Sequence, residues 1–233
     1  MITQDDLQGR WRRAWLKAPG REDHDTHVEW WQAGAQFADI RIPAARDVTG
    51  ARCLADLSPH QLETCLAAEG FAGVTEVAGG VCTWHRHLNW WGPPDGVDAG
   101  KMSYDGAGDL IEEGVEGDYS ELWRGTAHPP LASQRYRGHG LIAVLVSDPE
   151  RFLVAIGPAA LPDKAPQGLA RFASEYSLGT WTGAAGQAQH STHPFQEGRV
   201  VLTRAHATLT WHRQDTQGRI QDITLTPDPG GLA

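Results

Sequence analysis

The chain has 233 residues and a formal net charge of −9, enough for one large β domain or two small ones with a sizeable core. An acidic chain has no general electrostatic pull toward nucleic acid or anionic lipid, and no run of about 18 apolar residues offers a membrane span. Cys53, Cys65 and Cys82 are an odd number of cysteines with no Cys-x-x-Cys spacing, which argues against a disulfide framework or a zinc knuckle and for a reducing cytoplasm.

The N-terminal stretch opens acidic and lacks an apolar core, so it does not read as a signal peptide. Thr3 to Gln8 fits one helical turn, with Thr3 as cap and Asp5 and Asp6 near its positive end. Pro19 to Thr26 is polar and opens on a Pro-Gly turn signal, so a loop is expected. The most informative stretch follows, Val28 to Pro43, two extended runs joined by Ala33-Gly34-Ala35. Strand side chains alternate with period two. Val28, Trp30 and Gln32 therefore share one face of the first run, and Glu29 and Trp31 the other. In the second run Phe37, Asp39 and Arg41 oppose the apolar set Ala38, Ile40 and Ile42. A strand with one charged and one apolar face fits the solvent side of a sheet or the lining of a polar pocket.

Leu57 to Phe71 is the best helix, with Ser58 as N-cap, Pro59 at the first position and Gln61 completing a capping box. Phe71–Val77 and Val81–Trp91 read as a second hairpin, in which Cys82, Trp84, Arg86, Leu88 and Trp90 share a face and His85 lies on the other. Residues 92–108, rich in Gly, Pro and Asp, read as a long loop. The acidic run 109–125 places Glu121 and Trp123 on one face if extended. Leu131–Gly138, Gly140–Ser147 and Arg151–Gly157 read as three strands. The continuously apolar Leu141–Val146 is expected at the centre of a sheet. Residues 159–175 break the pattern and hold a short helix from Gln167 to Glu175. Ser177–Ala184 and a meander of three strands, Arg199–Arg204, Ala207–Arg213 and Arg219–Leu225, follow. The tail 226–233 is expected to fray.

About ten strands and one or two short helices make the chain mainly β, an antiparallel barrel rather than a parallel α/β sheet. One domain over 1–233 is expected, with two tandem halves meeting near 125–130 as the alternative. The ten tryptophans are packing residues first, since aromatics in sheets usually fill cores. The competing role is to line a ligand cavity, with each buried N–H seeking a partner.

Gly-x-Trp occurs at Gly9-Arg10-Trp11 and Gly179-Thr180-Trp181, and Trp-His-Arg at Trp84-His85-Arg86 and Trp211-His212-Arg213. These motifs resemble the calycin superfamily, which includes the lipocalins. The resemblance implies that Trp11 or Trp181 plugs one end of a barrel and that an arginine, Arg86 or Arg213, lies across the indole through a cation–π contact. It also implies binding of a small, partly apolar molecule inside the barrel, while some calycins are enzymes.

The chemistry-bearing candidates gather on these strands. Asp39 and Arg41, joined by Glu121, must be paired or ligand-matched if they point into a barrel, because an isolated buried charge is costly. Arg41 or Arg86 would then receive a carboxylate or other oxyanion. A surface or structural salt bridge is the preferred reading of these charges. His190 and His193 lie three apart but outside a helical zinc motif, so a solvated loop is preferred to a metal site. His85 or His212 as an axial haem ligand is outweighed by an ordinary strand histidine. No cofactor and no metal are expected. The ligand-lining set is Trp31, Asp39, Arg41, Trp84, His85, Arg86, Glu121, Trp123, Trp211 and His212. The function expected is small-molecule binding in an aromatic, Arg/Glu-lined cavity. The alternatives are an isomerase, lyase or hydrolase pairing an acid with a histidine, and a partner-binding protein with a filled core. Partners are a small ligand, with no nucleic acid and no membrane; a homodimer is left open.

Overall fold

A computed structural model describes residues 1–230. The first half is a sheet built from β1 (Gly9–Ala18), β2 (Arg21–Asp23), β3 (His27–Ala33), β4 (Gln36–Ile42), β5 (Glu69–Ala78), β6 (Val81–Asn89), β7 (Ala99–Tyr104), β8 (Leu110–Gly114) and β9 (Ser120–Thr126). Neighbours pair in the order β2-β1-β3-β4-β5-β6-β7-β8-β9, and β1 also pairs with β9, which closes an antiparallel barrel. The strand β2 only extends the far end of β1 as a flap. The second half is a closed eight-stranded barrel of β10 (Ala132–Gly138), β11 (Leu141–Ser147), β12 (Arg151–Pro158), β13 (Glu175–Thr182), β14 (Ala185–Ser191), β15 (Val200–Ala205), β16 (Thr208–Gln214) and β17 (Ile220–Pro227). The mainly β, antiparallel-barrel reading holds. The helix α1 (Pro59–Leu66) carries the expected Ser58/Gln61 capping box, and four short 3-10 turns lie among the described residues. No helix among them is long and apolar enough to cross a membrane.

Strands exceed the expected ten because short ones hide in glycine-rich sequence. Residues 92–108 contain β7, the acidic run divides into β8 and β9, and β14 lies past the expected end of its neighbour. The 159–175 segment carries a 3-10 turn at Gly168–Ala173 instead of a helix to Glu175. Of the tail, Thr226 and Pro227 belong to β17, and 231–233 lie outside the described residues.

Three apolar cores organise the chain. One fills the second barrel, with Phe152, Trp181, Leu202 and Trp211 among its members. A second fills one end of the first barrel, around Leu7, Trp11, Trp30 and Phe37. The third lies between the barrels: Ala38, Ile40 and Ile42 of β4, with Leu88 and Trp90, meet Ile142, Val144, Leu153 and Tyr176. Both faces of β11 are therefore buried, Ala143 and Leu145 inside its barrel and Ile142, Val144 and Val146 in the seam. That explains its unbroken apolar run.

The face assigned to β6 is only half right. Cys82, Trp84 and Arg86 point into the first barrel, but Leu88 and Trp90 pack in the seam. A β-bulge causes the reversal. Gly73 pairs with Arg86 while Ala72 pairs with Leu88, so His87 is the extra residue and parity inverts after it. A Cβ on Gly73 would overlap the carbonyl oxygen of His85.

The arginine cover expected over the motif tryptophans differs. Trp11 stacks on Trp30 at 6.2 Å and donates its N–H to Leu7 O at 2.8 Å. Trp181 is covered by Arg204, 3.9 Å from the ring centre, and not by Arg86 or Arg213. Arg86 lies over Phe71 at 3.7 Å and Arg213 over Trp211 at 5.6 Å. Gly179 sits at a register shift, where a Cβ would overlap the Gln187 carbonyl oxygen and crowd Phe152. Gly179→Ala is expected to cost roughly 3 kcal/mol of unfolding free energy, read from urea titration. Because the seam is one continuous core, the two barrels are expected to unfold together. Tryptophan fluorescence and far-UV circular dichroism should give one coincident transition, and two separated midpoints would contradict it.

Candidate functional site

The interior of the first barrel is apolar at one end and ionic at the other. Ile2 and Leu7, from the N-terminal segment and its 3-10 turn, close the apolar end with Trp11. Above them Trp30 forms a floor, edge-to-face with Trp84 at 5.5 Å and with Trp123 at 5.7 Å. Over this floor lies a cavity of about 220 Å³.

Alternation on each strand sets the lining. On β4, Asp39 and Arg41 face inward beyond Phe37; on β9, Glu121 and Trp123 do; on β8, Glu112 does, opposite Glu121 in register. Arg41 Nε donates to Asp39 Oδ1 at 2.9 Å, and its Nη1 lies 3.8 Å from Glu121 Oε1. Behind Glu121, Arg13 Nη1 donates to the same Oε1 at 2.6 Å while Nη2 reaches Asp23 Oδ2 at 2.5 Å. This second bond ties the β2 flap to the barrel wall. Arg86 is held by Asp98, with Nη2–Oδ2 at 2.6 Å and Nε–Oδ2 at 2.9 Å. Glu112 accepts from Tyr119 Oη at 2.8 Å and from Trp123 Nε1 at 3.0 Å. The Arg86–Asp98 pair also lines an outer groove rimmed by Trp91–Val97 and residues 163–165, so it is shared by the lumen and that groove.

The buried acids titrate abnormally. Burial lifts Asp39 to about 6 against the opposing pull of Arg41. Burial also lifts Glu112 to about 8; the facing Glu121 adds to the shift and the Tyr119 hydrogen bond opposes it. Burial, then Glu112, pushes the Tyr119 phenol up. Burial alone would lower Arg41, but Asp39, Glu121 and Glu69 hold it well above its ordinary value. Two carboxyl groups thus straddle neutrality on the wall of one cavity.

Six of the ten residues singled out from the sequence line this cavity: Asp39, Arg41, Trp84, Arg86, Glu121 and Trp123. Four lie elsewhere. Trp31, on the outward parity of β3, is buried in the seam between Arg10 (4.6 Å) and Arg151 (5.7 Å) and donates to Glu29 at 2.8 Å. His85 points away from the lumen, half-exposed beside Glu76 at 3.4 Å. Trp211 is inside the second barrel, donating to the buried Glu175 at 3.1 Å. His212 sits on that barrel's outer face between Thr203 and Asp222, each at 2.7 Å. An acid–histidine pair across the cavity is therefore not assembled. His190 stacks on His27 at 4.1 Å, while His193 is buried against Phe172 and Phe195.

Glu112, Arg13, Tyr119 and Asp98 were missed. A signal existed for Glu112: a turn at Gly114–Gly117 would split the acidic run and put Glu112 on the parity of Leu110.

These features define an antiparallel double β-barrel whose first lumen is ionic and aromatic. No family model matches the sequence, and no curated protein matches it. The crystal structure of the uncharacterized protein YLR301w from Saccharomyces cerevisiae is similar in fold, with a TM-score of 0.50 and 8% identity over 95% of this chain and 86% of that one. At that identity the likeness shows the fold alone.

Because Glu112 holds its proton more tightly when folded, its contribution to stability falls as pH rises from 4.5 to about 8. Glu112→Gln cannot ionise there, so its stability should decline less steeply. Relative to wild type it should gain on the order of a few kcal/mol across that window, read from urea midpoints at each pH. An equally steep decline in the variant would show that Glu112 ionises freely in the native protein.

Proposed function

We propose that the first barrel binds a small molecule in its lumen and that the second barrel serves as its packed support. The observation carrying this reading is the cavity itself: a space of about 220 Å³ with buried ionisable groups on its wall and indoles beneath. Replacing buried ion pairs by well-packed apolar residues is often neutral or stabilising, so stability alone does not account for charges set around an open space. The volume is below the ~300–1,000 Å³ typical of drug-sized ligands, so the occupant is small. A calycin-type barrel is consistent with the Gly-x-Trp strand closing the apolar end and with the Arg204–Trp181 stack in the second half. A reducing cytoplasm suits three buried free cysteines.

A second reading, an acid–base enzyme on the same lumen, is favoured by one feature. Glu112 and Glu121 are direct cross-strand partners, and Asp39 is close enough to Arg41 and Glu121 to share their field. The acid–base pair would then be two carboxyl groups rather than a carboxyl and a histidine.

Native mass spectrometry of protein isolated without denaturation should show a retained adduct of low mass. Leu16→Trp, which adds an indole to the cavity wall, should abolish it. An adduct undiminished in Leu16→Trp would put the ligand elsewhere and defeat the reading.

A further inference from the structure

The charges around the lumen do not balance. Asp39, Asp98, Glu112 and Glu121 line the cavity, against Arg41 and Arg86. Arg13 adds a third guanidinium from behind, but it is shared between Glu121 and Asp23. Each arginine is thus already engaged by a carboxylate, and Glu112 is left with only two neutral donors, Tyr119 and Trp123. Glu112 also stands directly opposite Glu121, an arrangement that is destabilising when both are charged. Asp39 and Glu121 are each held through a single oxygen, Oδ1 and Oε1. Among the described residues no hydrogen bond reaches the second oxygen of either, although these residues are only 1% and 2% exposed.

Around this unmatched acid the walls are aromatic: Trp30, Trp84, Tyr119 and Trp123, with Phe71 already covered by Arg41 and Arg86. The negative faces of such rings attract cations, most strongly where water is excluded. An anionic ligand meets the opposite situation. The terminal nitrogens of Arg41 carry no hydrogen bond among the described residues, but an anion docking on them would lie against Asp39 and Glu121, and Arg86 gives both Nε and Nη2 to Asp98.

We infer that the occupant of the first barrel is a small organic cation, an amine or quaternary ammonium on a flat or aromatic body, with its charge between Glu112 and Glu121 and its body against the indoles of Trp30, Trp84 and Trp123. This rests on the lumen being the binding site. The cation supplies the counter-charge that lets Glu112 ionise beside Glu121. The groups facing Glu112 are Glu121 on β9, Tyr119 before it, Asp98 before β7 and Arg41 on β4. Only Arg41 among them is cationic, and Asp39 engages it. Binding near neutral pH therefore expels the proton that Glu112 carries in the empty barrel.

Isothermal titration of the full chain with benzylamine, benzyl alcohol and benzoate, three probes of nearly one shape and different charge, tests this. Benzylamine should bind at least about tenfold tighter than benzyl alcohol, with benzoate weakest. Its heat should differ between phosphate and Tris buffers by an amount that reports proton release. Glu112→Gln should erase most of the amine preference and the buffer dependence. If Glu112→Gln does not fold, Glu121→Gln and the order of the three probes on the native protein decide the matter. Benzoate or benzyl alcohol binding as well as the amine, competitively and blocked by Leu16→Trp, would overturn the cation inference while leaving the lumen as the site. Amine preference unchanged in Glu112→Gln would overturn it too. No probe bound at any charge, with no retained adduct, would remove both readings.

Discussion

The structure depends on two barrels burying their outer walls against each other. A barrel ordinarily needs only its inside to be apolar, and its outside meets water. Here the outward residues of β4 and β11 are as dry as their inward ones. That demand fixes much else. It explains why β11 has no polar alternation, why Trp31 is capped by Arg10 and Arg151 from the two halves, and why a buried ion pair, Arg10 with Asp148, crosses the junction. It also frees the lumen of the first barrel from supplying all of that half's apolar burial. An ionic interior costs stability, and the seam is where the apolar compensation lies.

The two interiors are consequently unlike. In the second barrel aliphatic and aromatic side chains meet across the axis, and the main buried acid, Glu175, is enclosed by Ser177, Gln196 and Trp211. Its polar atoms are satisfied by neighbours. In the first barrel the acids are satisfied pairwise by arginines with one left over, beside open volume. The network around Glu175 closes on itself; the one in the first barrel stops at a cavity wall.

Alternation carried most of what the sequence could reveal. The inward set Phe37, Asp39 and Arg41 and the outward set Ala38, Ile40 and Ile42 are legible because Val28–Ile42 is a regular hairpin with one tight turn. The same rule places Glu121 beside Trp123, and Ser58, Pro59 and Gln61 mark the helix start by side-chain chemistry alone. It fails where register slips. Nothing in Arg86-His87-Leu88 announces an extra residue, so Leu88 and Trp90 follow the wrong parity until the partner strand is seen. It fails again where two environments look alike: Trp31, buried in the seam, and Trp30, buried in the lumen, are indistinguishable to a period-two pattern. Glu112 was hidden because its strand has five residues, and the acidity around it suggested a solvated segment.

The bulge at His87 makes β6 a strand with two allegiances. Its first half furnishes Trp84 and Arg86 to the cavity of the first barrel, and its second half furnishes Leu88 and Trp90 to the junction with the neighbouring barrel. Arg86, in the wall of the cavity, is only two residues from Leu88, which packs against the other half of the molecule. The wall of the one chamber and the seam between the chambers are thus built from one strand, divided by a single extra peptide unit.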